Sequence, residues 1–375
     1  MTDHRSNRHE RQRWVIKLGS ALLSDSQTGL NQGLIGALAK ACVALRDRGI
    51  DIVLVSSGAI AQGMARLGWA ERPHELYQLQ AAAAVGQMGL VQAYQQAFEG
   101  FAVETAQVLL TGADLSDRTR YLNARSALRS MLTLGIVPVV NENDTVATEE
   151  IQFGDNDTLG ALVSNLVEAE YLVILTDQGG LYEADPRKVA DAPLVKTAVA
   201  GDPALEAYAG PSGVLGRGGM LTKLQAATKA ARSGASTIIC SGYELENLAG
   251  IVDGNFPGTL IRAGAGRVAA RKQFLAGSMR AKGVLLLDDG AVGVLTTSGK
   301  SLLPVGVIQV DGVFERGDLV DCAARDGRAV VARGLVNYSS SDATKIAGQP
   351  SSEIEKILGY VDEPELIHRD NMVVL

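Results

Sequence analysis

Short apolar segments, each followed by polar, glycine-containing residues, alternate with helical segments along the first two thirds of the chain. These segments lack the polar alternation of a half-exposed strand, so both of their faces are expected to be buried. Buried strands separated by helices predict an α/β fold, a three-layer sandwich with a mostly parallel sheet. The predicted strands span residues 14–18, 51–55, 103–110, 136–140, 171–175 and 236–240.

The segments between these strands have the apolar spacing of helices, and glycine follows some of them, as it often does at a helix end. The predicted helices span residues 34–48, 77–98, 120–134, 159–168 and 220–233. Polar loops follow four strands, at residues 19–20, 56–59, 141–145 and 176–180. Ligands bind beyond the carboxyl ends of strands in parallel sheets, so these loops are predicted to form the site.

The pattern changes near residue 265. A basic segment at 267–272 precedes short apolar runs that are broken by Asp-Gly and similar turns from Gly283 onward. Regular turns between short runs predict a small β-rich barrel or sandwich. The expected organisation is a disordered leader at 1–13, a first domain at 14–268, a linker at 269–281 and a second domain at 282–375.

Composition excludes several classes of protein. The formal net charge is −7, which disfavours non-specific binding of polyanions. The start of the chain lacks the apolar core of a secretory signal, and no apolar run approaches the ~20 residues of a membrane span, so a cytoplasmic protein is expected. The cysteines and histidines show no metal-binding spacing, and no protein ligand for a metal is predicted.

The segment from Gly293 to Ser301 resembles a phosphate-binding P-loop but does not match it. Five residues separate Gly293 from Gly299, whereas the motif requires four, and no helix is predicted after it. Residues 299–301 are therefore interpreted as a hairpin turn, and a nucleotide is expected to bind elsewhere.

Two lysines stand out as candidates for binding phosphate. Lys17 lies near the end of an apolar strand, where an unpaired ammonium group would be costly to bury. A functional role is favoured, and the alternative is an edge strand with a side chain that reaches solvent. Lys223 lies in the first turn of a predicted helix after the glycine-rich residues 216–219, and exposed N–H groups at a helix start attract phosphate. Its alternative is a solvated surface lysine.

Two polar clusters, residues 141–145 and 154–158, both contain Asn-Asp-Thr. They predict recognition of a small substrate that forms hydrogen bonds. The alternative is a turn followed by a helix cap, and Asp157 or Thr158 is expected to cap the helix that follows.

Taken together, these segments closely resemble the amino-acid kinase family, in its glutamate-phosphorylating branch with a C-terminal PUA domain. The matching stretches in the first domain are Val-Ile-Lys-Leu-Gly-Ser at 15–20, Val-Ser-Ser-Gly-Ala-Ile at 55–60, Asn-Glu-Asn-Asp-Thr at 141–145, Phe-Gly-Asp-Asn-Asp-Thr-Leu at 153–159, Leu-Thr-Asp-Gln-Gly-Gly-Leu-Tyr at 175–182 and Gly-Gly-Met-Leu-Thr-Lys at 218–223. Residues 334–340 and 368–371 resemble the PUA domain. One departure is Arg217, where members of the family usually have threonine.

The resemblance implies an enzyme that phosphorylates the side-chain carboxylate of L-glutamate with ATP and Mg²⁺, giving L-glutamyl 5-phosphate in the first step of proline biosynthesis. Lys17 and Lys223 would flank the transferred phosphoryl group, and Asp157 would hold their ammonium groups. Ser57, Asp144 and Asn156 would bind glutamate. The residues implied for ATP binding are Lys17, Thr176, Asp177, Arg217, Gly218, Gly219, Met220, Leu221, Thr222 and Lys223. Feedback inhibition by proline and a homotetramer are further expectations of the family.

Two alternatives to this function remain open. One is a sister kinase that acts on acetylglutamate, aspartate or uridylate, against which the paired Asn-Asp-Thr clusters and the PUA-like segment argue. The other is an RNA-binding protein, because PUA domains elsewhere contact RNA. Residues 282–375 contain nine Lys and Arg against fourteen Asp and Glu, a net charge of −5, whereas a nucleic-acid face is normally positive. Binding of nucleic acid is therefore not expected.

Overall fold

The structure is a computed structural model, and it describes residues 11–25, 29–147, 156–189, 191–209, 219–264, 281–327 and 329–375. The chain divides into two compact units, one of Met1–Leu115 with Asn123–Arg267 and the other of Ser116–Leu122 with Val268–Leu375. Most of the predicted leader at 1–13 and linker at 269–281 lies outside the described residues, but residues 12 and 13 belong to the first strand and are not disordered.

The first unit contains an eight-stranded sheet with strand order β5-β6-β4-β1-β7-β9-β10-β8. Its strands are β1 (Gln12–Leu18), β4 (Ile50–Val55), β5 (Thr105–Leu110), β6 (Val137–Glu142), β7 (Tyr171–Thr176), β8 (Thr197–Val199), β9 (Ser236–Ser241) and β10 (Thr259–Arg262). The pair β9/β10 is antiparallel and the other neighbours are parallel. A separate two-stranded ribbon joins β2 (Ser24–Asp25) to β3 (Gly29–Leu30). The predicted mostly parallel sheet is confirmed.

Helices pack against both faces of this sheet. The helices along this part of the chain are α1 (Ser20–Leu23), α2 (Gln32–Asp47), α3 (Ala59–Leu67), α4 (Leu76–Glu99), α5 (Gly112–Ser116), α6 (Arg118–Thr133), α7 (Asp157–Val167), α8 (Ala204–Tyr208) and α9 (Met220–Ala230). Residues 116–122, at the end of α5 and the start of α6, are grouped with the second unit. Ile16 and Leu18 of β1 join one apolar core with α2 and α4. The alternate residue Lys17 lies on the opposite face, beside Gly160 of α7. Burial on both faces explains why the strands of this unit are so apolar.

The second unit contains a five-stranded sheet with strand order β12-β11-β13-β14-β15. Its elements are β11 (Gly283–Leu287), α10 (Asp289–Ser298), β12 (Val307–Gly312), β13 (Leu319–Ala324), β14 (Val330–Leu335), α11 (Ser340–Ile346), α12 (Ile354–Leu358) and β15 (Met372–Val374). The pair β11/β13 is parallel and the other pairs are antiparallel. Phe314 and Tyr338 are fully buried in its core. The predicted β-rich second region is confirmed.

The hairpin turn predicted at residues 299–301 is wrong. Residues 289–298 form the helix α10, and Gly299 is its C-cap in the left-handed conformation, with φ of +56°. The Asp288 carboxylate accepts a hydrogen bond from the Ala291 N–H and caps the start of the helix. A glycine in the left-handed conformation occurs at helix C-caps as well as in hairpin turns, so the glycine at 299 was compatible with both.

Two glycines let α3 and α4 approach each other unusually closely. A Cβ atom on Gly63 would lie 1.7 Å from the carbonyl oxygen of Ala82, and one on Gly86 would lie 1.8 Å from that of Ala59. Both oxygens belong to helix backbones, which cannot move aside without disturbing the helices. Glycine is therefore required at this crossing on steric grounds.

We expect Gly86→Ala to destabilise the protein by about 1–3 kcal/mol through overpacking of the crossing. Gly36 provides the matched control, because it also lies within a helix, but an added Cβ there would meet nothing within 4 Å. Gly36→Ala should stabilise the protein by about 0.5–1 kcal/mol. Denaturant unfolding measures both effects, and midpoints that move in the same direction would contradict the described packing.

Candidate active site

The carboxyl end of β1 is the point around which the site is built. The chain places β4, β6 and β5 on one side of β1 and β7 on the other, so the direction of strand addition reverses at β1. Ligands bind at such reversals in open parallel sheets. The predicted polar loops follow β1, β4, β6 and β7. These strands are parallel, so the loops lie together at the carboxyl ends of the strands.

Two lysines share one buried carboxylate at this edge. Lys17 Nζ forms an ion pair with Asp157 Oδ1, and Lys223 Nζ lies 3.1 Å from Asp157 Oδ2. The residues are almost completely buried, with exposed fractions of 3% for Lys17, 0% for Asp157 and 4% for Lys223. Together the three side chains carry a formal net charge of +1, a charge that suits an anionic ligand.

Local packing explains how these three residues meet. Lys17 points away from the α2/α4 core, and Gly160 of α7 lies against its aliphatic stem, where an added Cβ would be 3.5 Å from the Lys17 Cβ. Asp157 lies in the first turn of α7, and Lys223 lies in the first turn of α9. The edge-strand alternative for Lys17 is wrong, because β1 pairs with β4 and with β7.

The prediction that Asp157 or Thr158 caps α7 is also wrong. Asn156 occupies the N-cap position, and no side-chain hydrogen bond caps the helix there. The Asp157 carboxylate binds the two lysines and also accepts a hydrogen bond of 2.9 Å from the Thr222 hydroxyl. The Thr158 hydroxyl instead accepts a hydrogen bond of 3.1 Å from Lys229 Nζ. Long-range ion pairing therefore replaces the local capping interaction.

A chain of buried amides extends from the predicted substrate residue Asn156. Asn156 Nδ2 donates hydrogen bonds to the Ser56 carbonyl and to Asn141 Oδ1, the latter over 2.8 Å. Asn141 Nδ2 in turn donates to Gln87 Oε1 over 2.7 Å. Both hydrogens of the Asn156 amide are thus engaged, so this side chain can offer a ligand only its carbonyl oxygen.

The sequence reasoning did not identify Gln87 as part of this site. It lies on α4 together with Ala83, Leu90 and Tyr94, a helical face that is buried throughout. A glutamine on an otherwise apolar helical face is the signal that could have identified it, because a buried amide requires hydrogen-bond partners.

Asp144 and Ser57 lie at neighbouring strand ends. Ser57 follows β4 and is buried, whereas Asp144 lies in the turn after β6 and is half-buried. Burial raises the pKa of the Asp144 carboxyl to about 6, and the positive charge of Arg72 partly opposes this rise. A carboxylate that has lost part of its hydration gains more from binding a cation than an exposed one does.

The residues predicted to bind ATP lie at the ends of β7 and α9. Thr176 is buried at the end of β7, and its hydroxyl donates a hydrogen bond of 3.0 Å to the exposed Asp177 carboxylate. Gly219 precedes α9, and the helix begins with Met220, Leu221, Thr222 and Lys223. Arg217 and Gly218 lie outside the described residues. Within the described chain, no side-chain hydrogen bond caps the start of α9, next to Lys223, and backbone N–H groups at a helix start attract phosphate.

Asp157→Asn should destabilise the protein by about 3–5 kcal/mol, because it removes the buried carboxylate that pairs with two buried ammonium groups. Asp253→Asn is the matched control in the same unit, since Asp253 pairs with Arg48 on the surface. Denaturant unfolding should show a large fall in the midpoint for Asp157→Asn and little change for Asp253→Asn. Equal shifts would indicate that the buried carboxylate has no special role in stability.

Comparison with family models identifies both units of the chain. Residues 12–241 match the model described as "Amino acid kinase family", and residues 283–358 match the model described as "PUA domain".

Among the described residues, no helix is long and apolar enough to cross a membrane.

Curated proteins match the chain along essentially its entire length. A "Glutamate 5-kinase" from Thioalkalivibrio sulfidiphilus is 59% identical, with 100% of each chain covered. A "Glutamate 5-kinase" from Ectopseudomonas mendocina is 58% identical, covering 97% of this chain and 98% of the relative. Among solved structures, "Carbamate kinase from Giardia lamblia bound to AMP-PNP" matches with a TM-score of 0.49 and 16% identity, covering 68% of this chain and 99% of that one.

Proposed function

Because the chain belongs to the amino acid kinase family and, within it, to the glutamate 5-kinases, we propose that it transfers the γ-phosphoryl group of ATP to L-glutamate. The acceptor is the side-chain carboxylate, and the product is L-glutamyl 5-phosphate, formed in the first step of proline biosynthesis. The observation that carries the proposal is the pair of buried lysines on Asp157. The hydrogen-bonded amides of Asn156 and Asn141 lie next to it, since Asn156 directly precedes Asp157.

The chemistry requires charge neutralisation more than proton transfer. A carboxylate is already ionised at neutral pH, so it needs no general base to attack phosphorus. The barrier arises because an anion must approach a polyanionic phosphate, and alignment with electrostatic stabilisation lowers that barrier. Lys17 and Lys223 are proposed to bind the oxygens of the transferred phosphoryl group. Asp157 is proposed to hold both ammonium groups in position.

The nucleotide is proposed to lie against Thr176, Asp177 and the loop that includes Arg217 and Gly218, with Gly219 to Lys223 at the start of α9. Mg²⁺ is proposed to be bound through the ATP phosphates and water, which is how this ion usually binds in kinases. The described residues do not include a group of three carboxylate, histidine or cysteine side chains that could hold a metal ion. The donor set of the site therefore fits phosphate, and no protein residue is assigned to the metal.

Glutamate is proposed to bind at the ends of β4 and β6. The Asp144 carboxylate suits its α-ammonium group, and the Ser57 hydroxyl can hydrogen-bond to either end of the substrate. Because the hydrogens of the Asn156 amide are engaged, its carbonyl oxygen is proposed to accept a hydrogen bond from the same ammonium group.

The whole chain is proposed to be organised as a leader at 1–13, a kinase domain at 14–268, a linker at 269–281 and a PUA domain at 282–375. Proline as a feedback inhibitor and a tetrameric assembly are carried forward as proposals from the family. The PUA domain is proposed not to bind nucleic acid, because its segment of the sequence is acidic.

The direct test is formation of an acyl phosphate from ATP and glutamate, detected by trapping with hydroxylamine and by release of ADP. N-acetylglutamate, aspartate and uridylate serve as alternative acceptors in the same assay. Glutamate should give the highest kcat/KM. Preferential phosphorylation of another acceptor would overturn the proposed function.

We expect Lys223→Ala to lower kcat by roughly 10²–10³-fold, because one of the groups that stabilise the transferred charge is lost. Lys229→Ala is the matched control on the same helix, since its ammonium group bonds to Thr158 rather than to Asp157. The control should retain near-normal turnover. An active, folded Lys223→Ala enzyme would remove Lys223 from the mechanism.

Glutamate binding is expected to weaken as the pH falls through about 6, the raised pKa of Asp144. Below that pH the carboxyl is protonated and no longer attracts the α-ammonium group, so kcat/KM for glutamate should fall. In Asp144→Asn, kcat/KM should be low at neutral pH, and this inflection should be absent. The KM for ATP is the control, and an inflection that persists in the variant would refute the assignment.

A further inference from the structure

A buried amide donor on α4 lies beside the proposed glutamate site and has no partner in the part of the chain that the structure describes. Gln87 is 9% exposed, and its Nε2 atom has no hydrogen-bond partner among the described residues. Buried N–H groups in folded proteins are almost always paired, because an unpaired one loses its hydration without compensation. A donor of this kind beside a cavity indicates a ligand that supplies the missing acceptor.

The orientation of the Gln87 amide follows from a backbone carbonyl at the other end of the chain of amides. A carbonyl oxygen can only accept, so the atom of Asn156 that bonds to the Ser56 carbonyl must be nitrogen. The same nitrogen bonds to Asn141, which must present its oxygen there and its nitrogen to Gln87. Gln87 must therefore use its oxygen in this network, and its nitrogen remains for another partner.

That nitrogen belongs to a residue that lines a cavity of about 250 Å³ in the first unit. The cavity is lined by Ala83, Ala84, Gln87 and Met88 of α4, by Gln107 and Leu109 of β5, and by Glu142, Asn143, Asp144 and Thr145 after β6. The Asp144 carboxylate in this lining suits a cation, whereas the Gln87 donor suits an oxygen acceptor. A ligand that satisfies both has an ammonium group and a carboxylate close together, as the α-carbon of an amino acid does.

We propose that Gln87 is a specificity-determining residue whose Nε2 donates a hydrogen bond to the α-carboxylate of the acceptor amino acid. The inference rests on the proposed function, and it adds the recognition of the carboxylate to that of the ammonium group by Asp144. The Asp144 carboxylate then binds the α-ammonium group, and the Gln87 amide N–H binds the α-carboxylate. This arrangement leaves the side-chain carboxylate as the group available for phosphorylation.

Two substitutions separate this role from that of positioning Asn141. Gln87→Glu keeps an oxygen that Asn141 Nδ2 can bond to but replaces the donor with an acceptor. Gln87→Met removes both groups while keeping a side chain of similar length. Loss of a hydrogen bond to a charged group should raise the KM for glutamate about 10- to 100-fold in both variants. The KM for ATP should change little in either variant. The thermal midpoint should fall in Gln87→Met, because Asn141 Nδ2 loses its acceptor.

Gln95→Glu is the matched control, because Gln95 lies on the exposed side of the same helix. It should leave the KM for glutamate unchanged. An effect in Gln87→Met but not in Gln87→Glu would reduce the residue to a positioning role, and an effect in Gln87→Glu alone would indicate charge repulsion. Either result overturns the proposal, as does an equal loss toward ATP. A wild-type enzyme that forms no glutamyl phosphate would instead refute the proposed function.

Discussion

The ion pairs of Asp157 with Lys17 and Lys223 are the interaction on which the arrangement of the site depends. Burial of an ammonium group is costly unless the charge is paired, so the Asp157 carboxylate stabilises both lysines in their buried positions. Asp157 thereby joins three separate elements, the central strand β1 and the first turns of α7 and α9. The same ion pairs hold both positive charges at the edge of the sheet where a phosphate is proposed to bind.

The close crossing of α3 and α4 constrains the hydrogen-bonded amides of the site in a comparable way. Gly63 and Gly86 bring the backbones of α3 and α4 together, and Gln87 directly follows the second of these glycines. Ser56, at the other end of the amide chain, lies just before α3. The close helix crossing therefore fixes the distance between the two ends of the hydrogen-bonded chain. Stability and recognition are coupled here, because a shift of α4 would move Gln87 away from Asn141.

Much of the fold could be predicted because strand burial and helix periodicity are local properties of the sequence. The long helices and the buried strands were predicted close to where they occur. The carboxyl ends of the strands were also predicted correctly as the side of the sheet that carries the polar loops. The position of β1 in the sheet could not be predicted, since an apolar strand has the same pattern beside any parallel neighbour. For the same reason, an edge strand remained open as an alternative for Lys17.

The errors and omissions at the site share one physical cause. An aspartate at the start of a helix has the same local sequence whether it caps the helix or binds lysines from distant elements. The prediction that Asp157 caps α7 was wrong for this reason. Gln87 was missed because several other glutamines occur on α4, and only its burial and its bond to Asn141 distinguish it. Local patterns thus identify residues that are able to form polar interactions. The partner that each one selects depends on which strand ends the sheet brings together.

The site separates into two halves of different electrostatic character. On the side of the proposed phosphate site, two ammonium groups flank one carboxylate, which also accepts a hydrogen bond from the Thr222 hydroxyl. On the amide side, Asn156, Asn141 and Gln87 form a neutral network whose direction is set by the Ser56 carbonyl. Asn156 and Asp157 are adjacent in the chain, so the two halves meet at a single peptide unit at the start of α7. Because Asn156 is the N-cap of α7 and Asp157 is its first residue, a change in the position of the helix would disturb the proposed phosphate and amino-acid sites together.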